Sequence, residues 1–234
     1  MKKSITINSP ARLHIGFLSL EKDSERKYGS LGLTVTYFNY KISIENNLKT
    51  KVFCEHEKLS NKIEEIIKVL RSKLNFSNFK LTVSKFIPIH NGLGSGTQLS
   101  LTIGRLIADF FQIKVSTDQL AIYLNRGLRS GVGIESFKKG GFNIDVGRSS
   151  KHKTPPLNIL NIKWPKEWKI ILLIDKNSTG IHGKKEIQEF EDLKAVRSNQ
   201  TNKNCESLLM KIIPGIIERN FDQFSDGVRI IQDN

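Results

Sequence analysis

Several features that usually steer a reading are scarce in this chain. It has two cysteines, Cys54 and Cys205, far apart and in no metal-ligand spacing. That argues against a disulfide framework and against a structural zinc site. No stretch approaches the roughly 18 uninterrupted apolar residues of a membrane span. The opening segment Met1-Lys2-Lys3-Ser4-Ile5-Thr6-Ile7-Asn8 lacks the apolar block of a signal peptide, so a cytoplasmic location is expected. Acidic residues are outnumbered, 23 against 37 lysines and arginines, for a formal net charge of +14. The basic residues are scattered, as at Arg26-Lys27, Lys138-Lys139 and Lys184-Lys185, without a long block or interleaved aromatics. Such scatter argues against a nucleic-acid face. It suits a surface that meets anionic small substrates.

Glycine, by contrast, is placed with purpose. The stretch Pro88-Ile89-His90-Asn91-Gly92-Leu93-Gly94-Ser95-Gly96-Thr97-Gln98-Leu99 lies between a β-branched alternating run at 79–87 and a run with helical spacing. In the second run Leu99, Ile103, Leu106, Ile107 and Phe110 recur every three or four residues. A glycine turn lets a ligand approach main-chain N–H groups. A helix start adds unpaired N–H groups and a positive dipole end. Together they form an anion cradle of the kind that holds phosphate, or else an inert glycine-rich turn. Two familiar variants are absent. The Gly-Lys-Ser/Thr ending of a nucleotide-triphosphate loop is missing, and the third glycine comes one residue early for a dinucleotide fingerprint.

The rest of the chain reads as mixed strand and helix. Strands are expected at 4–8, 12–20, 33–45 and 50–56, with Ser9-Pro10-Ala11 as a break and Tyr28-Gly29-Ser30-Leu31-Gly32 as a turn. Ser60 is placed to cap a helix reaching about Leu74. After a helix at 97–112, Ser116-Thr117-Asp118-Gln119 has the form of a capping box. A short helix near 133–138, a Gly140-Gly141 turn and a strand follow, and 148–158 reads as a linker. The apolar run 168–174 is expected to be a central strand. Helical patterns occupy 184–197, 204–219 and 221–231. No internal repeat is visible.

Pro88 with Gly92-Leu93-Gly94-Ser95-Gly96, Ser9-Pro10-Ala11-Arg12-Leu13, and Ser130-Gly131 followed by Gly140-Gly141 resemble the motifs of the GHMP kinase superfamily. Within it the chain is most similar to the β-ribofuranosylaminobenzene 5′-phosphate synthase family. The segments that carry this are Pro10-Ala11-Arg12-Leu13-His14-Ile15-Gly16, Gly29-Ser30-Leu31-Gly32, Gly92 to Leu99, Arg129-Ser130-Gly131-Val132-Gly133-Ile134, Gly140-Gly141-Phe142 with Asp145, and Gly180-Ile181-His182-Gly183 with Glu186 and Phe190. The small-molecule kinases often carry an aspartate base where this chain has Gly133, and a glycine takes no proton from a substrate hydroxyl.

The resemblance implies an α+β, GHMP kinase-like two-domain fold. The first domain, over 1–155, would share the fold of a ribosomal protein domain, and 156–234 would form a partial second domain. It implies a decarboxylating transfer of the phosphoribosyl group from phosphoribosyl pyrophosphate to 4-aminobenzoate or 4-hydroxybenzoate, a step of methanopterin biosynthesis, with Mg²⁺. Gly92, Leu93, Gly94, Ser95, Gly96, Thr97, Arg126 and Ser130 are then candidates to bind phosphate. Asp145, Arg129, His14 and Arg12 are candidates for catalysis, and Ser95 and Asp145 for the metal. Blander roles stay open: Arg126 suits a helix C-terminal turn, and His14 a strand interior. An ATP-dependent kinase using Glu135 or Asp145 as base is the alternative. A homodimer is an admissible assembly.

Overall fold

The computed structural model describes residues 4–21, 25–89, 91–149, 154–174 and 198–233. The expected helix at 184–197 and the motif around His182, Glu186 and Phe190 lie outside them, as does His90. The described elements, in order, are β1 (Ser4–Ser19), β2 (Arg26–Asn46), β3 (Lys51–Phe53), α1 (Glu57–Arg71) and β4 (Phe79–Lys85). Next come α2 (Ser95–Phe110), α3 (Thr117–Tyr123), α4 (Val132–Lys139), β5 (Phe142–Asp145), β6 (Arg148–Ser149) and β7 (Asn158–Ile162). The last described elements are α5 (Ser198–Ser207), a π-helical turn (Leu208–Ile212), α6 (Ile213–Ile217) and α7 (Phe221–Asp233).

β2 is the strand on which the others are laid. β1 runs antiparallel along one of its edges, from Ser4 opposite Glu45 to Ser19 opposite Tyr28. On the other edge β4 pairs with its C-terminal half and β5 with its N-terminal half, again antiparallel. β3 adds parallel to β4, and β7 antiparallel to β5. β5 and β7, which pair with each other, lie on either side of position 155.

Two expected turns are strand. Ser9-Pro10-Ala11 does not break β1 but shifts its register, since a bulge absorbs the missing proline N–H. Tyr28 to Gly32 is likewise part of β2. Gly32 is there for packing: a Cβ on it would lie 2.0 Å from Val132 Cγ1 and 2.7 Å from the Leu13 carbonyl oxygen. The cap of α1 is His56 rather than Ser60, its Nδ1 accepting from Leu59 N. Ser116 does cap α3 through Gln119 N. Within the expected linker, Arg148 and Ser149 pair with Lys27 and Arg26. The run 168–174 forms no strand: Ile171 and Leu173 are 83% and 93% exposed, and no described segment pairs with it. The expected helix at 204–219 divides at Pro214, whose missing N–H follows a π-widened turn.

Two apolar cores hold these layers. The larger joins α1, α2 and α3 to β2 and β4 through Ile42, Ile44, Ile63, Leu70, Phe79, Leu81, Ile103, Leu106 and Leu120. The smaller sets Leu208, Ile212, Ile216, Phe224 and Ile231 against Leu31, Leu33, Phe142 and Ile144. The larger core fixes the base of the glycine loop, because Leu93 is driven into it and is 3% exposed.

Candidate active site

Leu93 pegs the loop, and β1 clamps it from the side. Arg12 N donates to the Leu93 carbonyl at 3.1 Å, and Arg12 Nη1 donates to the Gly92 carbonyl at 2.8 Å. Gly94 caps α2 with φ of +72°, a backbone that favours glycine. A Cβ there would also come within 2.9 Å of the Arg12 side chain. Thr97 N and Gln98 N both donate to the Gly94 carbonyl, each at 3.1 Å. The N–H groups of Ser95 and Gly96, just before them in the same first turn, have no intrahelical acceptor. Gly92 and Gly96 are exposed, and Ser95 and Thr97 half-buried, so this helix start faces outward.

A cation stands behind it. Arg126 leaves the end of α3, and its Nε donates to Ser100 Oγ at 3.0 Å. Ser100 Oγ in turn donates to the Gly96 carbonyl at 2.8 Å. Arg126 Nη1 lies 3.6 Å from where a Cβ on Gly96 would stand. Burial pulls the Arg126 pKa below its usual value, the mark of a charge with little solvent around it. The first turns of α2 and α4 also meet. Gln98, fully buried, donates from Nε2 to the Gly133 carbonyl at 2.7 Å. A Cβ on Gly133 would lie 3.1 Å from Thr97 Cγ2. Glycine at 133 therefore lets the two helix starts close on each other.

Asp145 belongs to the frame of the site. It is fully buried. Its Oδ2 accepts from Gly131 N at 2.9 Å and from Ser30 Oγ, and its Oδ1 accepts from Gly147 N at 2.9 Å. Ser30 Oγ also bonds Ser130 Oγ at 2.6 Å. Burial raises the Asp145 pKa, against these hydrogen bonds, which lower it. The carboxylate thus ties β5 and β2 to the start of α4. Both oxygens accept bonds inside the protein, so a metal or reacting group at Asp145 would share them with Ser30, Gly131 and Gly147. No group of three His, Cys, Asp or Glu that could hold a metal ion occurs among the described residues.

The remaining expected residues divide in the same way. His14 follows Arg12 by two positions on β1 and so shares its face. Burial, with Arg12 beside it, lowers its pKa to about 4, so the imidazole is neutral near pH 7. Arg129 is half-buried in the loop between α3 and α4. Ser130 belongs with Ser30 and Asp145. Glu135, the alternative base, is buried and bound to Lys138 at 2.7 Å and Lys139 at 3.8 Å. The structure therefore gathers Arg12, Gly92 to Thr97 and Arg126 around one outward-facing helix start, with the Ser30–Ser130–Asp145 hub behind it. Sequence reasoning missed Gln98, Ser100 and Ser30 as supports. For Gln98 and Ser100 the signal was polar residues on a helix that is otherwise mostly apolar, where only a partner justifies them.

Residues 61–144 match the family model described as the GHMP kinases N terminal domain. The Streptococcus pneumoniae phosphomevalonate kinase structure superposes with a TM-score of 0.68 at 10% identity, covering 97% of this chain and 77% of that one. L. major mevalonate kinase gives 0.64 at 10% identity, covering 99% and 75%. The fold is the α+β GHMP kinase fold, and the chain is an enzyme of that superfamily. A β-ribofuranosylphenol 5′-phosphate synthase of Methanothermobacter thermautotrophicus is 32% identical, over 97% of this chain and 75% of that protein. A protein of the same name from Methanocaldococcus jannaschii is 30% identical, over 97% and 76%. The chain belongs to this synthase family.

Proposed function

We propose that the chain condenses phosphoribosyl pyrophosphate with a 4-substituted benzoate, 4-hydroxybenzoate or 4-aminobenzoate, and releases pyrophosphate and CO₂. The ring carbon bearing the carboxylate bonds to the anomeric carbon as the bond to the pyrophosphate oxygen breaks. The bond to CO₂ then breaks, and its electron pair restores the aromatic ring. The product name carried by the relatives supports this reading and favours the hydroxy acid, whose decarboxylated riboside is a phenol. Such a product belongs to methanopterin-type cofactor biosynthesis.

The observation that carries the reading is an anion cradle without a base. The loop offers the α2 N–H groups and dipole, with Arg126 behind and Arg12 beside, which suits a departing pyrophosphate. No carboxylate among the described residues is poised beside it to deprotonate an alcohol. Glu135 is held by two lysines, and Asp145 is sealed by Ser30, Gly131 and Gly147. Phosphoryl transfer to a hydroxyl is therefore the weaker reading. Arg129, half-buried near the same helix starts, is assigned to the 5′-phosphate or the benzoate carboxylate, where a guanidinium fork fits.

The test is incubation with Mg²⁺, phosphoribosyl pyrophosphate and carboxyl-labelled 4-hydroxybenzoate or 4-aminobenzoate. Labelled CO₂ is expected from at least one acid, without ATP. Folded protein that releases none with either acid, yet forms ADP from ATP in the presence of a small alcohol, would establish the kinase instead.

A further inference from the structure

Three rings stand together, His14 and Phe17 on β1 and Tyr28 on the part of β2 that pairs with the end of β1. His14 and Phe17 have centroids 4.4 Å apart with planes tilted by 49°. Phe17 and Tyr28 follow at 5.8 Å and 52°. All three are half-buried, and neither Phe17 nor Tyr28 joins either apolar core. The register of β1 shifts between His14 and Gly16, re-aiming the side chains beside it.

Two further features are costly for the fold. Tyr28 holds φ of +77°, a backbone that a bulky side chain rarely adopts. Strain of this kind costs on the order of 1–3 kcal/mol and collects at functional sites. Two residues before it, Arg26 donates from Nε to the Val146 carbonyl at 2.8 Å and from Nη2 to the Gly147 carbonyl at 2.9 Å. In addition, His14 Nε2 is buried with no hydrogen-bond partner among the described residues. A buried polar atom left unsatisfied is a cost that a purely structural role does not explain. The row begins two residues from Arg12, which grips the loop at Gly92.

We infer that His14, Phe17 and Tyr28 form the subsite that receives the flat ring of the aromatic acid, beside the pyrophosphate cradle. The inference rests on the proposed reaction and deepens it. Ring attack on the anomeric carbon places positive charge on the benzoate ring before CO₂ leaves. Aromatic faces stabilise such charge, and a neutral His14 adds none of its own.

Tyr28→Gly separates ligand binding from folding, because it removes the ring and relieves the backbone at once. Its melting temperature is expected to equal or exceed that of the wild type, while KM for 4-hydroxybenzoate rises about 3- to 10-fold, the worth of a lost aromatic contact. KM for phosphoribosyl pyrophosphate is expected to stay within twofold, and Tyr28→Phe, which keeps the ring, to stay near wild type. Phe17→Leu is expected to raise the same KM. Unchanged acid KM in both Tyr28→Gly and Phe17→Leu would overturn the subsite while leaving the reaction standing. Were the wild type to release no CO₂, proton NMR of the His14 ring decides separately. Shifts on adding 4-hydroxybenzoate that Tyr28→Gly weakens would keep the aromatic-acid subsite, and a flat titration would end it.

Discussion

Arg126 and Asp145 carry opposite charges, lie behind the same pair of helix starts, and have different jobs. Asp145 spends its oxygens on Gly131 N, Gly147 N and Ser30, so it holds backbone in place. Arg126 uses its Nε on Ser100 and brings its Nη1 close to Gly96, which leaves a cation against the cradle. Arg126→Gln is accordingly expected to lower kcat/KM for phosphoribosyl pyrophosphate about 10- to 100-fold, the range of a lost charge-assisted hydrogen bond. Steady-state kinetics check this, with the acid KM expected to move far less. His14 makes a prediction about stability. Its folded pKa of about 4 lies below the ordinary value of 6.5, so the unfolded chain takes up a proton that the fold refuses. Stability is full above about pH 6.5, falls as pH drops toward about 4, and changes no further below that on this residue's account. The loss is at most about 3 kcal/mol. Urea unfolding between pH 7 and pH 4.5 is expected to show a shallower decline in His14→Gln than in the wild type.

At the scale of elements, the glycine loop, the strand before it and α2 after it were legible from alternation, helical spacing and glycine placement. So was the Ser116 cap, because its chemistry is local. What was not legible depends on distant residues. Gly32 looks like turn punctuation until Val132 is found against it. The 168–174 run has the composition of a central strand, yet composition does not supply a pairing partner. The bonds that hold Asp145 are not legible either, because Ser30 lies 115 positions away in the chain. Gly32→Ala should therefore act as an overpacking substitution. Its Cβ meets a backbone oxygen as well as a side chain, so the site yields poorly, and a loss of about 1–3 kcal/mol is expected in denaturant unfolding. A change within 0.5 kcal/mol would show that α4 does not press on β2 as described.

For the whole molecule, charge and fold point the same way. No described helix is long and apolar enough to cross a membrane. The +14 charge is spread over the chain, and the proposed donor is itself a polyanion. Raising salt from 50 to 500 mM is expected to cut kcat/KM for phosphoribosyl pyrophosphate by about 10-fold, with a smaller effect for the singly charged benzoate, as screening shortens the reach of surface charge. Equal sensitivity of both substrates would assign the charge another role. The central claim is that the cradle releases pyrophosphate as a carbon–carbon bond forms. Mass spectrometry of the product from ring-labelled 4-hydroxybenzoate and unlabelled donor tests it most directly. The expected product is a riboside that retains the 5′-phosphate and all six ring carbons, has lost the carboxylate carbon, and appears in equal amount with pyrophosphate. A product that retains the carboxylate, or a phosphorylated alcohol formed only with ATP, would contradict the claim.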